Sequence, residues 1–232
     1  MPASISVVVP MYNEEEYLPL TVAAVRGVLE DMRADWELVI VDDASTDGTG
    51  AAADEAARAE PRVRVLHNPR NLTLGGSLRA AYALASKDLV LYTDADLPFD
   101  FQEVPRAVRL LEYQRADVLS AYRFHRTAEG PRRALYTFAY NELIRALFDL
   151  GVKDVNFSFK LFRRALLQRI ELKSNGSFID VEFLVRAKNA GAHIIQIGVD
   201  YFPRTRGVST LSSWRVIGNI LREMRQLRAE LK

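Results

Sequence analysis

The chain contains no cysteine, which excludes disulfide bracing and thiol chemistry and fits a cytoplasmic protein. It has almost no net charge, +1 at pH 7 from 31 basic and 30 acidic residues, so no global field draws it to nucleic acid and any basic function is local. No apolar run reaches the roughly 18 residues of a membrane-spanning helix. The nearest stretch, 135–152, is interrupted by Glu142, Arg145 and Asp149. The opening "MPASISVVVP" is too short and too uncharged for a signal peptide. No repeat, low-complexity tract or Gly/Pro/Ser-rich linker divides the 232 residues.

What the chain does have is an alternation. Short β-branched runs at 5–9, 36–41, 63–67, 89–93 and 117–122 are separated by helical patterns at 16–33, 49–59, 76–86 and 101–114. Strands apolar on both faces, separated by helices of this length, predict an α/β fold: a mostly parallel central sheet with helices on both faces. The second half is less regular. It reads as an amphipathic helix at 131–150, a strand at 157–162, a short helix at 164–170, a helix at 180–190, a strand at 193–199, a loop at 202–213 and a closing amphipathic helix at 214–231. With 49% hydrophobic and 26% charged residues, such a chain buries a substantial core. The organisation expected is one α/β domain over 1–213 followed by a C-terminal amphipathic helix over 214–232.

In such sheets ligands gather beyond the carboxyl ends of the strands, and here those ends are polar. "LYTDADLPFD" (91–100) places Asp94 and Asp96 two residues apart, so in an extended segment they point the same way. They could converge on a divalent cation, which would relieve their repulsion. Alternatively, Asp96 or Asp100 caps a helix starting near Phe101. "VDDASTDGT" (41–49) ends a strand with Asp42 and Asp43; an Asx turn accounts for part of it, and an acid here could also accept hydrogen bonds from a nucleobase or ribose. "PMYNEEE" (10–16) offers a turn at Pro10, an aromatic face at Tyr12 and a carboxylate at Glu14, or else an N-cap at Asn13 with Glu16 three residues on.

Together, "VVVPMYNEEEYL", "VDDASTDGT", "NLTLGGSLRAAY" and "YTDADLPF", in this order and spacing, resemble family 2 glycosyltransferases of the GT-A fold. More narrowly, the chain resembles polyprenyl-phosphate sugar transferases of the dolichol-phosphate mannose synthase type. "SAYR" (120–123), "VNFSFKLFRR" (155–164) and "FIDVEFLVRAKNAGAHIIQIGV" (178–199) extend the likeness over roughly residues 4–215. The resemblance implies a single Rossmann-like GT-A domain that binds a nucleotide sugar, GDP-mannose or a UDP-hexose. It implies donor contacts from Pro10, Tyr12, Glu14, Asp42, Asp43, Arg79 and Asp94, with Arg206 and Ser209 in a segment closing over the donor. It implies Mg²⁺ or Mn²⁺ on Asp94 and Asp96, and acceptor contacts from Arg123, Arg133 and Asn141. The chain also departs from the family pattern. Pro98 stands where relatives often carry a ligating Gln, Thr73 and Leu74 replace Gly and Lys, "NFSFK" replaces a Gly-Phe-Lys sequence at Ser158, and Val208 and Thr210 stand where Glu and Lys are common.

The reaction implied is inverting transfer of the sugar to polyprenyl phosphate. A phosphate monoester, with a second pKa of about 6, is already anionic near neutrality and needs cations to position it rather than a base. Segment 123–145 supplies Arg123, His125, Arg126, Arg132, Arg133 and Arg145 against Glu129 and Glu142. A hydroxyl acceptor, the alternative, needs a carboxylate base such as Asp154 or Asp180. Nucleotidyl transfer would call for a Gly-rich Arg/Lys signature after the first strand, which is absent. The aromatics Phe124, Tyr136, Phe138, Tyr140 and Phe148 are expected in the core, with contact to a lipid chain as the alternative. In the last helix Trp214, Ile217, Leu221, Met224, Leu227 and Leu231 form a stripe beside Arg215, Arg222, Arg225, Arg228 and Lys232. That stripe either lies on the cytoplasmic membrane face or packs on the domain or on a partner subunit.

Overall fold

β1 (Ser4–Met11) organises the sheet in this computed structural model, which describes residues 3–124, 131–202 and 214–231. Its "ISVVV" core is buried on both faces, and β2 (Asp35–Asp42) and β4 (Leu89–Tyr92) flank it in parallel, Val8 standing opposite Val39 on one side and Tyr92 on the other. β3 (Val63–His67) extends the sheet beyond β2. The crossovers are α1 (Leu18–Asp31), α2 (Thr49–Ala59) and α3 (Thr73–Leu84), while α4 (Glu103–Tyr113) leads from β4 to β5 (Val118–Arg123). β5 pairs in parallel with β7 (Ile194–Val199), and β6 (Lys160–Arg163) lies between β4 and β5, antiparallel to both. The strand order is β3-β2-β1-β4-β6-β5-β7, a mostly parallel sheet as the alternation predicts.

Successive strand residues feed opposite cores. Val7, Val9, Leu38 and Leu91 pack with α1 and α4 on one face. Val8, Val39, Val90 and Tyr92 pack on the other with α3, with α6 (Ile179–Asn189) and with α7 (Trp214–Glu230). α7 is divided along its apolar stripe: Met224 and Leu227 are buried in that core, whereas Leu221 and Leu231 stay exposed. Glu223 accepts the Asn175 N–H (3.0 Å), and Glu230 pairs with Arg186 (2.7 Å) and Lys173 (3.2 Å). Among the described residues no helix is long and apolar enough to cross a membrane.

Three segments differ from the sequence expectation. α3 begins at Thr73, so Gly75 and Gly76 lie in its first turn rather than in a loop. A Cβ on Gly75 would come within 2.3 Å of the Ser174 carbonyl, and Gly75 N donates to Asn175 O at 2.6 Å. These glycines let a helix end press on backbone. β6 starts at Lys160 because the residues before it form a turn, Phe157 N donating to Asp154 O at 3.0 Å, and the helix expected at 164–170 is a 3-10 turn, Arg164–Gln168. In α5 (Pro131–Phe148), Ile144 is buried and Tyr140 and Phe148 pack against the core, but Phe138 is 63% and Phe124 57% exposed. Those two aromatics are not core, and Phe138 lines a cleft described below.

Candidate active site

The loops at one edge of the sheet hold non-glycine residues in the left-handed region. Asn13 (φ 58°) follows β1, Ala44 (60°) follows β2, Thr73 (61°) ends the β3 loop, Leu97 (44°) follows β4, and Asp154 (54°) precedes the reversed β6. For Ala, Thr and Leu this conformation costs about 1–2 kcal/mol each. A core in which each buried Val or Leu contributes about 1.5–3 kcal/mol outweighs it. Such strain gathers where function fixes the backbone.

The first two strand-end loops interlock. Asn13 Oδ1 accepts the Thr46 N–H (2.8 Å), Ser45 Oγ accepts the Asn13 N–H (3.0 Å), Thr49 Oγ1 accepts the Glu14 N–H (2.8 Å) and Glu15 Oε2 accepts the Gly48 N–H (2.6 Å). Asn13 is therefore a loop tie and not an N-cap. Asp42 and Asp43 have different partners. Asp42 turns inward, accepting from Ser45 N (3.0 Å) and facing His67 Nδ1 (2.9 Å). Burial pushes its carboxyl up, but the bonds to Ser45 and His67 outweigh it and hold Asp42 below the ordinary carboxylate value. Asp43 Oδ1 accepts from Asn68 Nδ2 and Leu72 N, both at 2.7 Å, and so ties the 68–72 loop to the site. Tyr12 presents an exposed ring beside these loops, and Pro10, next to last in β1, stands opposite Val41. Arg79 sits on α3 and donates to Lys173 O (2.5 Å) and Asn175 Oδ1 (2.7 Å), which fixes it to the 173–175 loop.

After β4, Asp100 resolves one of the alternatives: its Oδ1 accepts the Gln102 N–H at 2.9 Å, so Asp100 caps the turn into α4. Asp94 and Asp96 have a different environment. Tyr92 donates its hydroxyl to Asp94 Oδ1 (2.9 Å), and the Ser158 side chain also bonds to Asp94. Burial, and then the charge of Asp96, push the Asp94 carboxyl up to about 6. Thr21 Oγ1 donates to Ala95 O (2.6 Å) and pins the backbone between the two acids. Two carboxylates that repel one another at a partly buried strand end fit a divalent cation completed by substrate phosphate oxygens. No three His, Asp or Glu side chains form a closed metal cage among the described residues, and an open two-carboxylate site does not need one. Pro98, in place of a possible third ligand, accepts the Phe202 N–H (3.0 Å) on its carbonyl.

Beyond β5, Arg123 grips Asp154 in a bidentate pair, Nε–Oδ2 2.7 Å and Nη2–Oδ1 2.8 Å, with side chains 11% and 3% exposed. Its guanidinium stands 5.0 Å from the Tyr201 ring and 5.6 Å from that of Phe157. Asn141 is used to dock α5, its Oδ1 accepting the Val155 N–H (3.2 Å). Asp180 is ion-paired with Lys160 at 2.6 Å, both buried. A cleft of ≈ 520 Å³ opens beside the Arg123 pair, lined by Tyr122, Phe138, Asn141, Arg145 and Lys153 among others. The expected residues Arg206 and Ser209 lie outside the described residues, as does the side chain of Arg133. The sequence reading did not single out Tyr92, Lys160 or Lys153. Tyr92 carried a usable signal, because it precedes Asp94 by two residues and so shares its face.

The strand order and the Asp94–Asp96 segment at the end of β4 define a glycosyltransferase of the GT-A fold. The chain belongs to glycosyl transferase family 2, whose family model matches residues 6–171. It is 30% identical over 217 residues to polyprenol monophosphomannose synthase of Mycolicibacterium smegmatis, covering 89% of this chain and 80% of that protein. It is 31% identical over 218 residues to undecaprenyl-phosphate mannosyltransferase of Micrococcus luteus, covering 88% and 86%. Against glycosyltransferase AglD of Haloferax volcanii it is 32% identical over 207 residues, 86% of this chain but only 33% of that protein. Among solved structures, mannosyl-3-phosphoglycerate synthase from Rubrobacter xylanophilus superposes with a TM-score of 0.74 at 21% identity, covering 98% of this chain and 75% of that one. Glucosyl-3-phosphoglycerate synthase from Mycobacterium tuberculosis, in complex with Mn²⁺, UDP-glucose and phosphoglyceric acid, gives 0.70 at 22% identity, covering 96% and 80%. At these identities the structural likeness establishes the fold.

Proposed function

We propose that this glycosyltransferase moves a sugar from a nucleotide-sugar donor to a polyprenyl phosphate, with inversion at the anomeric carbon. One observation carries the choice of acceptor. Asp154 and Asp180, the carboxylates that could serve as a base for a hydroxyl acceptor, are each bound to a cation, Arg123 and Lys160. Both are also buried, so neither is presented to a substrate hydroxyl, whereas a phosphate monoester brings its own anionic nucleophile. Two relatives named for polyprenyl or undecaprenyl phosphate, aligned along most of this chain, support the same choice.

On this reading Asp94 and Asp96 hold Mg²⁺ or Mn²⁺, which when bound neutralises charge developing on the leaving diphosphate. The interlocked loops after β1 and β2 fix Pro10, Tyr12, Glu14 and Asp43 at the nucleotide, and Tyr92 and Ser158 orient Asp94. The roles of Arg206 and Ser209 over the donor and of Arg133 at the acceptor follow from the sequence resemblance. Because two relatives are named for mannose, GDP-mannose is the first donor to try and UDP-hexoses the next. The acceptor class places the work at the cytoplasmic face of a membrane.

The test is a donor screen with phosphorylated polyprenol and free polyprenol side by side. Lipid-linked sugar and released nucleoside diphosphate are both scored, with and without EDTA. Lipid-linked sugar from the phosphate alone, lost in EDTA and restored by Mg²⁺ or Mn²⁺, is expected. Transfer to a hydroxyl acceptor with none to the phosphate overturns the reading.

A further inference from the structure

Among the described residues, the cleft beside Arg123 carries one unbalanced charge. Three described cations line it, and two are neutralised: Arg123 by Asp154 (2.7 Å) and Arg145 by Glu142 (3.0 Å). The third is Lys153. Among the described residues its ammonium pairs with no carboxylate; it stands 4.9 Å from the centre of the Tyr122 ring. Its backbone is nevertheless fixed. Gln196, on β7, accepts the Lys153 N–H at 3.1 Å and donates to the Lys153 carbonyl at 3.0 Å, so one side-chain amide holds both polar groups of that residue. Tyr122, Phe138 and Val152 add apolar surface to the same cleft.

The cleft is also close to Asp94. Asp154, which pairs with Arg123, and Ser158, which bonds to Asp94, are four residues apart. Four residues span at most about 14 Å when fully extended. The Phe157 N to Asp154 O bond of 3.0 Å curls this segment, so the separation is less.

We propose that Lys153 takes part in recognising the acceptor phosphate, an inference that rests on the polyprenyl-phosphate reading above. An anion reaching this cleft meets an Arg123 whose guanidinium is already held bidentately by a buried carboxylate, and breaking such a pair leaves a charge uncompensated. A cation–π contact at an exposed site is far weaker and is given up readily to a dianion. Lysine is a mobile point charge on a long stem, suited to following a phosphate from the cleft toward the sugar. The Arg123–Asp154 pair then forms a rigid wall, and among the described lining residues Lys153 supplies the net positive charge.

The experiment is calorimetric titration of the full chain with farnesyl phosphate and with farnesol at pH 8, where the phosphate is dianionic. The wild type binds farnesyl phosphate more tightly than farnesol. Lys153→Met weakens farnesyl phosphate binding by about tenfold or more, as for loss of a hydrogen bond to a charged group, and leaves farnesol binding unchanged. Lys153→Arg restores most of the preference, and circular dichroism melts show each variant folded. If the wild type shows no preference for the phosphate, the acceptor reading itself falls, and this inference with it. If the wild type prefers the phosphate and Lys153→Met keeps that preference, the acceptor reading stands and the role of Lys153 is overturned.

Discussion

Lys160 Nζ lies 2.6 Å from Asp180 Oδ1, and neither side chain is more than 4% exposed. The Lys160 ammonium also donates to the Phe157 carbonyl (2.8 Å) and stands 5.6 Å from the centre of the Tyr92 ring. The pair thus joins α6 to β6, the strand beside β4, which leads to Asp94. Buried pairs contribute little over an apolar pair of the same volume, but loss of one partner leaves a naked charge and costs about 3–5 kcal/mol. Lys160→Met and Asp180→Leu should each lower the urea midpoint accordingly, and the double variant should recover much of the loss. Losses in the double variant equal to the sum of the singles would show that the two charges do not interact.

Tyr92 is predicted to set the metal affinity. Tyr92→Phe keeps the ring in the core and removes only the hydroxyl that donates to Asp94. Partners of ligating groups typically change metal affinity 10–100-fold. Mn²⁺ binding followed by electron paramagnetic resonance should weaken by about tenfold with thermal stability nearly unchanged. Asp96→Asn should abolish transfer altogether. Unaltered Mn²⁺ affinity in Tyr92→Phe would mean that the hydroxyl does not orient the carboxylate.

His67 makes stability fall at alkaline pH. Hydrogen bonds to Asp42 (2.9 Å) and then Asp54 (3.1 Å) raise its pKa above the ordinary imidazole value. A raised folded pKa means that the fold binds the proton more tightly than the unfolded chain. The stabilisation is therefore complete below about pH 6.5 and is lost as pH rises through the folded value. Asp42, held low, acts in the opposite sense: its contribution is present near neutrality and is lost as pH falls. The stability gap between wild type and His67→Gln, read from urea melts, should narrow from pH 6 to pH 9. A constant gap would exclude the charged pair.

The closing helix has two sides with separate consequences. Leu227 is 3% exposed in the core and Leu221 is 41% exposed. Leu227→Ala should cost about 2–5 kcal/mol. Leu221→Glu should cost about 0.5 kcal/mol or less, and it should reduce co-sedimentation with anionic liposomes if the wet face meets the membrane. Truncation after Ser213 removes Met224 and Leu227 from the core and is expected to unfold the domain by circular dichroism. A truncated chain that stays folded would show the helix to be an appendage.

Much of this was legible in the sequence because the governing signals are local. "ISVVV" and "WELVIV" announce strands buried on both faces, and the i, i+2 spacing of Asp94 and Asp96 announces two carboxylates on one side. The direction of β6 was not legible, since an apolar run reads alike in either sense. Nor was the fate of Gly75, whose need for a bare Cα comes from Ser174, nearly a hundred residues away. The ion pair of Arg123 was not legible either, because its partner, Asp154, is thirty-one residues on and meets it only through the fold. Asp42 and Asp43 looked equivalent, and only His67 and Asn68, from the next strand and its end, separate their uses.

The reversed strand has a metric consequence. β6 alone lies between β4, which leads to Asp94 and Asp96, and β5, which ends at Arg123. Neighbouring strands are spaced by about 4.8 Å, so Tyr92 at the end of β4 and Ser120 of β5, both opposite Lys160, stand two such steps, or about 10 Å, apart, with Arg123 three residues further along β5. That interval is set by peptide hydrogen bonds and by no side chain. On the proposed reading, substitutions around the cleft change which acceptor is held and how tightly, while the spacing between β4 and β5 is written in the backbone lattice of a four-residue strand.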